Sequence, residues 1–295
     1  MRDTVKGYLA ALISAVTYGM IPLFMIPIKQ GGFSVDAALF YRFIITAVFI
    51  AGYLLYKREP LRIAPREIAI FAVLGLLYAL SAEFLFLAYD LLSPAIASTI
   101  FFMYPLIVAL ALAFFYKEKL TLPTIVALLI VLVGIFLLSV KDVNNLTINY
   151  VGAFISLLGA LSYALYMIIV NKSKISASGI KVSLYSTLFS ALYFLIKIPI
   201  TGNTLPIPEI KMGALLVGFG IVTTLLSLIT LIYAIQMIGS TPTAIVGVVE
   251  PIVAVAISIW VFRQEELTVN LLAGVVLIII AVLIEAVSYT HLTLP

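Results

Sequence analysis

Long apolar runs, separated by short polar breaks, constrain this 295-residue chain more than any other feature of its sequence. Hydrophobic residues make up 64% of the chain and charged residues 10%, whereas soluble proteins are about half apolar. Because a helix needs about 20 apolar residues to cross a bilayer, the chain has room for about ten crossings and no separate soluble domain. The sequence therefore predicts an all-α polytopic membrane protein.

The boundaries of the predicted spans follow from where each apolar run meets a polar break. The runs lie near residues 7–28, 35–56, 68–88, 93–115 and 122–140, and then near 150–170, 181–200, 212–238, 241–262 and 269–287. The first run has no convincing small-residue cleavage site, so we expect it to be retained as a span. Residues 288–295 lack periodicity and are expected to be a disordered or non-native tail.

The second half of the chain repeats the pattern of the first. Aligning Pro105 with Pro251 brings further residues into register, namely Ala88 with Ala234 and, after one insertion, Glu118 with Glu265, Leu120 with Leu267 and Thr121 with Thr268. Near the start of each half the matches are Gly7 with Gly152, Ala15 with Ala160 and Tyr18 with Tyr163. Because each half has five spans, an odd number, the halves must enter the membrane from opposite faces. The predicted fold is two inverted five-helix repeats, residues 1–143 and 144–287, around a central cavity.

The basic residues of the connecting loops predict the orientation of the spans. If the N-terminus is cytoplasmic, more loop Lys and Arg residues fall inside than outside. The inside set is Arg2, Lys6, Lys57, Arg58, Arg62, Arg66, Lys117, Lys119, Lys172, Lys174 and Lys181, and the outside set is Lys29, Lys141, Lys197, Lys211 and Arg263. Both termini are therefore expected on the cytoplasmic side.

Two prolines occupy matching positions in the middle of spans four and nine. A proline inside a helix leaves the carbonyl four residues earlier, that of Phe101 for Pro105 or of Gly247 for Pro251, without its usual partner. For either proline alone, a simple packing kink is an equal interpretation. Prolines at corresponding positions of both halves favour interrupted helices that line a transporter binding site.

Glu250 directly precedes Pro251 and lies near the bilayer centre in span nine. An ionisable residue at this depth is costly and is a candidate functional group by default. Its neighbours at helical spacing, Gly247, Ala254 and Ser258, form a small and partly polar stripe that suits a cavity wall. The alternative is a protonated carboxyl group that bonds to a neighbouring helix.

Arg42 and Glu83 are the other intramembrane candidates. Both lie at a similar depth from the predicted outer face, in spans two and three, so an ion pair between them is geometrically possible. Burying either alone costs about 2.5 to 3.5 kcal/mol on insertion scales, which favours such a pair or contact with a polar ligand. Glu285 lies near the end of span ten, where its carboxylate reaches the interface more easily, and it receives no role.

Aromatic and hydroxylated residues within the spans have two interpretations. They line a cavity and contact the ligand, or they pack helices against each other, which is their commoner use in membranes. The aromatic set includes Tyr18, Tyr104 and Tyr163, and the hydroxyl set includes Thr223, Ser227 and Thr230.

Enzyme motifs are missing from the sequence. There is no HExxH motif and no P-loop, and the single histidine, His291, lies in the predicted tail. The absence of cysteine excludes disulfides and thiol chemistry. The excess of 17 Lys and Arg over 13 Asp and Glu lies in loops and does not indicate nucleic-acid binding. We therefore expect neither catalysis nor a cofactor or metal site.

Three stretches resemble a known family. They are LFYRFIITA around Arg42, VVEPIVAVAISIWVF followed by EELT in span nine, and YPLIVALALAFFYKEKLT in span four. These stretches are similar to the EamA-type transporters of the drug/metabolite transporter superfamily, and the similarity covers nearly the whole chain. The chain departs from the family pattern in having Tyr18 before Gly19, where Trp is common, and Lys117 and Gln264, where Gly is common.

The resemblance implies a ten-helix fold in which helices four and nine are central and helices five and ten peripheral. Family members move amino acids, metabolites, drugs or lipid-like compounds, often outward. Such a protein is expected in a prokaryotic plasma membrane, the cell inner membrane. Its expected partners are a small-molecule substrate, the lipid bilayer, and protons or another coupling ion. The family resemblance leaves open whether the protein forms a homodimer.

These observations predict a secondary active transporter of a small polar or amphipathic metabolite that works by alternating access. Arg42 is expected to orient an anionic group or to lock Glu83, and Glu250 to be the proton-linked or cation-contacting carboxylate. The predicted substrate-binding or coupling residues are Arg42, Glu83, Glu250, Tyr18, Tyr104 and Tyr163. The alternatives are an uncoupled facilitator or channel-like pore, and a membrane subunit without transport.

Overall fold

The computed structural model describes residues 2–92, 94–139, 149–173, 175, 177–263 and 268–292. Throughout these ranges the backbone forms helices joined by short loops, and they contain no strand. Nine helical segments of this part are long and apolar enough to cross a membrane, and Leu122–Leu137 is a shorter apolar helix. The prediction of an all-α multi-span membrane protein is confirmed.

The first half of the chain forms spans 1 to 5. Span 1 consists of α1 (Arg2–Gly19) and α2 (Ile21–Gln30), span 2 is α3 (Val35–Tyr56), span 3 is α4 (Pro65–Leu91), span 4 consists of α5 (Pro94–Phe101) and α6 (Tyr104–Tyr116), and span 5 is α7 (Leu122–Ser139). The predicted boundary between the halves, at residues 143 and 144, lies outside the described residues.

The second half forms spans 6 to 10. Span 6 is α8 (Tyr150–Lys172), span 7 is α9 (Gly179–Ile200), span 8 consists of α10 (Ile210–Gly220), a π-helical segment (Ile221–Leu226) and α11 (Ser227–Ile238), span 9 consists of α12 (Ser240–Gly247) and α13 (Glu250–Trp260), and span 10 is α14 (Val269–Leu292). The last helix continues past residue 287, where the apolar pattern placed the end of span 10.

Eight of the spans form a closed ring. Going round it, each span packs on the next in the order 1, 8, 2, 7, 3, 6, 4, 9 and back to 1. Spans 5 and 10 pack on each other outside this ring, next to spans 4 and 9. Exchanging each span of the first half for its counterpart in the second maps the ring onto itself, which is the arrangement expected of an inverted repeat.

Small and hydroxylated residues let neighbouring spans of the ring approach closely. The Ser14 and Ser227 hydroxyls lie 3.2 Å apart where span 1 meets span 8. Where span 6 meets span 4, the Ser156 hydroxyl donates to the Ala97 carbonyl at 2.6 Å. Ser227 therefore joins helices, which is the packing interpretation of the hydroxyl set.

The two ends of the bundle differ in which connections they carry. The terminal end, on the side of both chain termini, carries the connections between spans 2 and 3, 4 and 5, 6 and 7, and 8 and 9. There Lys172 pairs with Glu118, and the Ala177 amide donates to a Glu67 carboxylate oxygen at 3.2 Å. The opposite end carries the remaining connections, and there the Tyr41 hydroxyl bonds to the loop between spans 7 and 8.

Candidate functional site

Three spans of the ring are interrupted, and each interruption precedes a proline. In each of these spans a proline is the second residue of the helix that follows the interruption. These prolines are Pro22 in α2 of span 1, Pro105 in α6 of span 4 and Pro251 in α13 of span 9. Proline suits this place because its fixed φ and missing N–H are tolerated in the first turn of a helix. The repeat predicted the breaks in spans 4 and 9, but it did not predict the break in span 1.

The interruption of span 9 contacts the interruptions of spans 1 and 4. A Cβ atom on Gly19, at the end of α1, would lie 2.6 Å from the Glu250 carbonyl oxygen, so only glycine allows this approach of spans 1 and 9. A Cβ atom on Gly247, at the end of α12, would lie 2.3 Å from the Tyr104 hydroxyl of span 4. That hydroxyl donates to the Ala244 carbonyl at 3.3 Å. The break of span 9 therefore lies between those of spans 1 and 4.

Arg42 of span 2 is fully buried, with 0% of its surface exposed. Its Nε donates to the Thr224 hydroxyl, and its Nη2 donates to the Thr223 carbonyl at 3.0 Å. The guanidinium carbon lies 4.9 Å from the ring centre of Tyr18 and 5.1 Å from that of Phe219. All of these partners are electrically neutral.

Apart from Tyr18, the partners of Arg42 belong to the π-helical segment of span 8 and its flanks. This wider turn lies where span 8 crosses span 2 so closely that a Cβ atom on Gly220 would be 3.1 Å from the Arg42 carbonyl. Thr46, one turn along span 2, donates its hydroxyl to the Gly220 carbonyl at 2.9 Å. Short π segments inside α-helices occur frequently at functional sites.

Glu250 is the first residue of α13, so its carboxylate lies at the positive end of a helix dipole. The carboxylate interacts electrostatically with Arg42. Tyrosines of spans 1, 3, 4 and 6 lie within electrostatic range of this carboxylate, namely Tyr18, Tyr78, Tyr89, Tyr104 and Tyr163. Glu250 therefore lies near residues of five other spans of the ring, including Arg42 of span 2.

Aromatic rings form a continuous layer across the interior of the ring. The ring centres of Tyr104 and Tyr163 lie 4.8 Å apart, and Tyr163 stacks on Tyr166 at 6.4 Å. Tyr166 lies 5.2 Å from Tyr78, which lies 5.4 Å from Phe43. Through the Arg42 guanidinium, which lies over both Phe43 and Tyr18, the layer reaches span 1. The structure thus brings Arg42, Glu250 and the three predicted tyrosines into one region.

Glu83 lies elsewhere, and its ion pair with Arg42, one of the alternatives that the sequence left open, does not form in the described structure. Glu83 instead accepts from Lys197 Nζ at 2.9 Å and from the Tyr193 hydroxyl at 2.5 Å. Lys197 also pairs with Asp36 at 2.7 Å. Tyr193 and Lys197 are four residues apart on span 7 and therefore present one face to Glu83. Arg42 contacts span 8 on the other side of span 2.

The Lys197 cluster, meaning Asp36, Glu83, Tyr193, Lys197 and Asn203, ties spans 2, 3 and 7 together at the opposite end. The Asn203 side chain completes it by donating to Asp36 at 3.2 Å. A pocket of about 260 Å³ opens beside this cluster. Its lining consists of Ser34, Val35, Asp36, Glu83, Phe86, Leu87, Asp90, Lys197, Thr201 and Asn203. This pocket does not include Arg42 or Glu250.

Glu285 is buried rather than placed at the interface, which corrects the expectation for this residue. Only 3% of its surface is exposed, and its carbonyl accepts from the Tyr8 hydroxyl at 3.3 Å. Its side chain lies within hydrogen-bonding reach of Thr124 of span 5, on which span 10 packs. It lies outside the eight-span ring.

Comparisons with known proteins agree with this architecture. The model of the EamA-like transporter family matches residues 5–140 and again residues 150–286. A solved structure described only as "Crystal structure of protein" superposes with a TM-score of 0.80 at 17% sequence identity, covering 98% of this chain and 99% of that one. Its likeness concerns the fold alone. The search of the curated proteins gave no match. Because the two matches together span nearly the whole chain, the protein belongs to the EamA-like transporter family.

Proposed function

We propose that the protein is a secondary active transporter that moves a small polar or amphipathic solute through the eight-span ring by alternating access. The observation that carries this proposal is the meeting of three interrupted helices in the interior of the ring. Interrupted helices leave backbone groups free, and in membranes such groups must face protein or a wet cavity. Breaks that converge from spans 1, 4 and 9 therefore favour a solute site.

The residues around the breaks have the chemistry that such a site requires. Glu250 supplies a carboxylate inside the ring, where it exchanges a proton or contacts a cation as transport proceeds. The buried tyrosines supply apolar faces for the solute body and hydroxyls for its polar groups. The two halves of the ring then rock against each other around this region.

The buried aromatic layer favours a carrier over an open pore. Tyr78, Tyr104 and Tyr166 have at most 2% of their surface exposed and bridge several spans of the ring. A channel-like pore needs a continuous wet path, and these packed rings interrupt it. A solute crosses such a layer only if the helices that carry the rings change their arrangement.

Counterflow in proteoliposomes tests the proposal. Vesicles are preloaded with members of a panel of amino acids, small carboxylic acids, amines and aromatic drug-like compounds, and uptake of the labelled compound is followed. We expect saturable uptake that is stimulated by the same compound on the far side. Linear, non-saturating flux would indicate a pore, and no flux with any compound would contradict transport.

Two Glu→Gln substitutions, one in the ring and one outside it, test the coupling of transport to an ion gradient. We expect Glu250→Gln to reduce gradient-driven uptake at least tenfold, a loss of about 1.4 kcal/mol or more in coupling, and to leave counterflow in place. Glu285→Gln is the matched control, because it makes the same chemical change in a buried residue outside the ring. Gradient-driven uptake that survives Glu250→Gln would remove the coupling role from this residue.

A further inference from the structure

We propose that Arg42, together with the Tyr18 hydroxyl, is the receptor for a carboxylate group of the transported solute. This inference rests on the proposed function and names the chemical class of its substrate. Its starting point is a buried cation that has no carboxylate in contact. Among the described residues no ion pair includes Arg42, and its Nε and Nη2 donate to the uncharged groups of Thr224 and Thr223.

The donors of Arg42 are not all used. A guanidinium carries five N–H groups, and the hydrogen bonds of this side chain occupy one on Nε and one on Nη2. Nη1 is buried and has no acceptor in the part of the chain that the structure describes. A buried donor without an acceptor is unfavourable. An incoming acceptor is therefore favoured at Nη1.

The residue expected to neutralise Arg42 is engaged elsewhere. Glu83 accepts from Lys197 and Tyr193, so it has partners of its own on span 7. Glu250 acts on Arg42 electrostatically but makes neither a hydrogen bond nor an ion pair with it in the described structure. Uncharged groups therefore accept the hydrogen bonds on one edge of the guanidinium, and the donor Nη1 on the other edge has no acceptor in the described structure.

The geometry of that edge selects a carboxylate. Nη1 and the remaining N–H of Nη2 point in parallel from the end of the planar guanidinium, and two parallel donors match the two oxygens of a carboxylate. The Tyr18 hydroxyl lies beside the guanidinium and within hydrogen-bonding reach of Arg42 and Tyr78, so it borders the place where the carboxylate would bind. Because Arg42 supplies one positive charge and the Glu250 carboxylate lies nearby, a solute with one negative charge is favoured over a solute with two.

The surroundings define the rest of the solute. The buried layer that contains Tyr104 and Tyr163 lies within electrostatic reach of Tyr18 and Glu250, so the body attached to the carboxylate meets aromatic faces. Small monocarboxylates with an aryl or alkyl body fit this description, and a solute that also carries an ammonium group pairs with Glu250. Arg42 is fully covered in this conformation, so the carboxylate reaches it when the ring opens.

Matched pairs of ligands test the receptor. A panel of aryl and alkyl monocarboxylates, including 3-phenylpropionate, benzoate and phenylalanine, is measured against the amide of each by thermal stabilisation of the purified protein in detergent. We expect at least one carboxylate to bind and its amide to bind at least tenfold more weakly, because the amide has no charge to pair with Arg42. If every carboxylate binds no better than its amide, the proposal is wrong.

Variants assign that preference to Arg42. Arg42→Gln is expected to reduce carboxylate affinity about 10- to 100-fold, the usual effect of losing a charge-assisted hydrogen bond, and to leave amide affinity unchanged. Lys197→Gln is the control, because it removes the cation of the related span 7, and it is expected to keep the carboxylate preference. A preference for carboxylates over amides that survives Arg42→Gln contradicts the proposal. If a variant does not fold, the comparison of carboxylates with amides on the wild-type protein still tests the proposal.

The two proposals fail separately. Ligand binding in detergent does not depend on flux, so a carboxylate preference without counterflow of any compound overturns transport and retains the receptor. Counterflow of neutral or cationic compounds with no carboxylate preference retains transport and overturns the receptor.

Discussion

Arg42 and Lys197 are two cations within spans of the same ring, on the related spans 2 and 7, and their surroundings differ in one respect. Lys197 lies at the edge of a pocket, with 20% of its side chain exposed, and has two carboxylates within 3 Å. Arg42 lies deeper, is fully buried and has only neutral contacts. A fully paired cation ties helices together, whereas a buried cation without a counter-ion attracts an anion from outside the protein.

A second difference separates the two places where spans 2 and 7 meet. At the opposite end the Lys197 cluster holds them. Towards the terminal end the same spans are joined by an apolar cluster of Ala47, Ile50, Leu54 and Leu184. Dissolved salt screens charged contacts and weakens them, whereas it does not weaken apolar contacts in this way. Spans 2 and 7 are therefore joined by a polar contact at the opposite end and by an apolar contact towards the terminal end.

The largest expected effect follows from breaking the Lys197 cluster. Lys197→Met leaves the carboxylates of Asp36 and Glu83 without their cation, and losing one partner of a buried pair costs up to 3 to 5 kcal/mol. Because Lys197 is partly exposed, we expect about 2 kcal/mol, or roughly 5 °C in Tm. Thermal unfolding in detergent measures this loss.

Its control is the triple variant Lys197→Met, Asp36→Asn and Glu83→Gln. Here no carboxylate is left unpaired, so most of the lost stability is expected to return. If the triple variant is less stable than Lys197→Met alone, the carboxylates are not the source of the loss, and the contrast with Arg42 does not hold.

Removing Arg42 is expected to cost less stability. Arg42→Met breaks no ion pair and removes the hydrogen bonds to the Thr224 hydroxyl and the Thr223 carbonyl, so we expect a loss of about 1 to 2 kcal/mol. Stabilisation by carboxylate ligands should disappear at the same time. A loss of stability larger than that of Lys197→Met would identify Arg42 as the stronger structural tie.

A still smaller effect is expected when the anchor of Arg42 is weakened but its charge is kept. Thr224→Val removes the acceptor of Nε, at a cost of about 1 kcal/mol, and lets the guanidinium rotate. Carboxylate affinity is expected to fall about threefold to tenfold, measured with the same ligand pairs. Thr230→Val is the matched control, because the Thr230 hydroxyl bonds only to carbonyls of its own span. Equal effects of the two variants would argue against a positioning role for Thr224.

The smallest effect concerns salt. Raising the salt concentration from 0.1 M to 1 M shortens the screening length from about 10 Å to about 3 Å and weakens the partly exposed Lys197 cluster. We expect a loss below about 1 kcal/mol in the wild type and none in the triple variant. The same loss in both proteins would place the salt-sensitive contact elsewhere.

The sequence supported most of the architecture but only part of the site. Apolar periodicity and the paired Pro105 and Pro251 indicate the spans and their inverted relation, because bilayer thickness and proline geometry act locally. The break in span 1 was missed since Pro22 has no counterpart in span 6, where Met167 occupies the corresponding position and the helix continues. The π-helical segment carries no proline to mark it in the sequence, and it lies at the close crossing of spans 2 and 8.

The partners of charged residues could not be predicted from spacing. Arg42 and Glu83 lie at similar depths, yet the rotation of their helices directs one to span 8 and the other to span 7. Lys197, near the end of a span, has the sequence pattern of an interfacial anchor, and its pairing with Asp36 joins residues 161 positions apart. Such contacts depend on packing across the ring, which a single sequence does not specify.

Accessibility of the ring interior from both sides of the membrane tests the central claim most directly. The chain has no cysteine, so Tyr104→Cys introduces a single thiol at the meeting point of the broken helices without further engineering. In proteoliposomes, a membrane-impermeant maleimide applied from either side is expected to label this thiol, and a bound carboxylate solute to slow labelling from both. Labelling from neither side, or from one side only, would contradict a transport path that opens alternately through the ring.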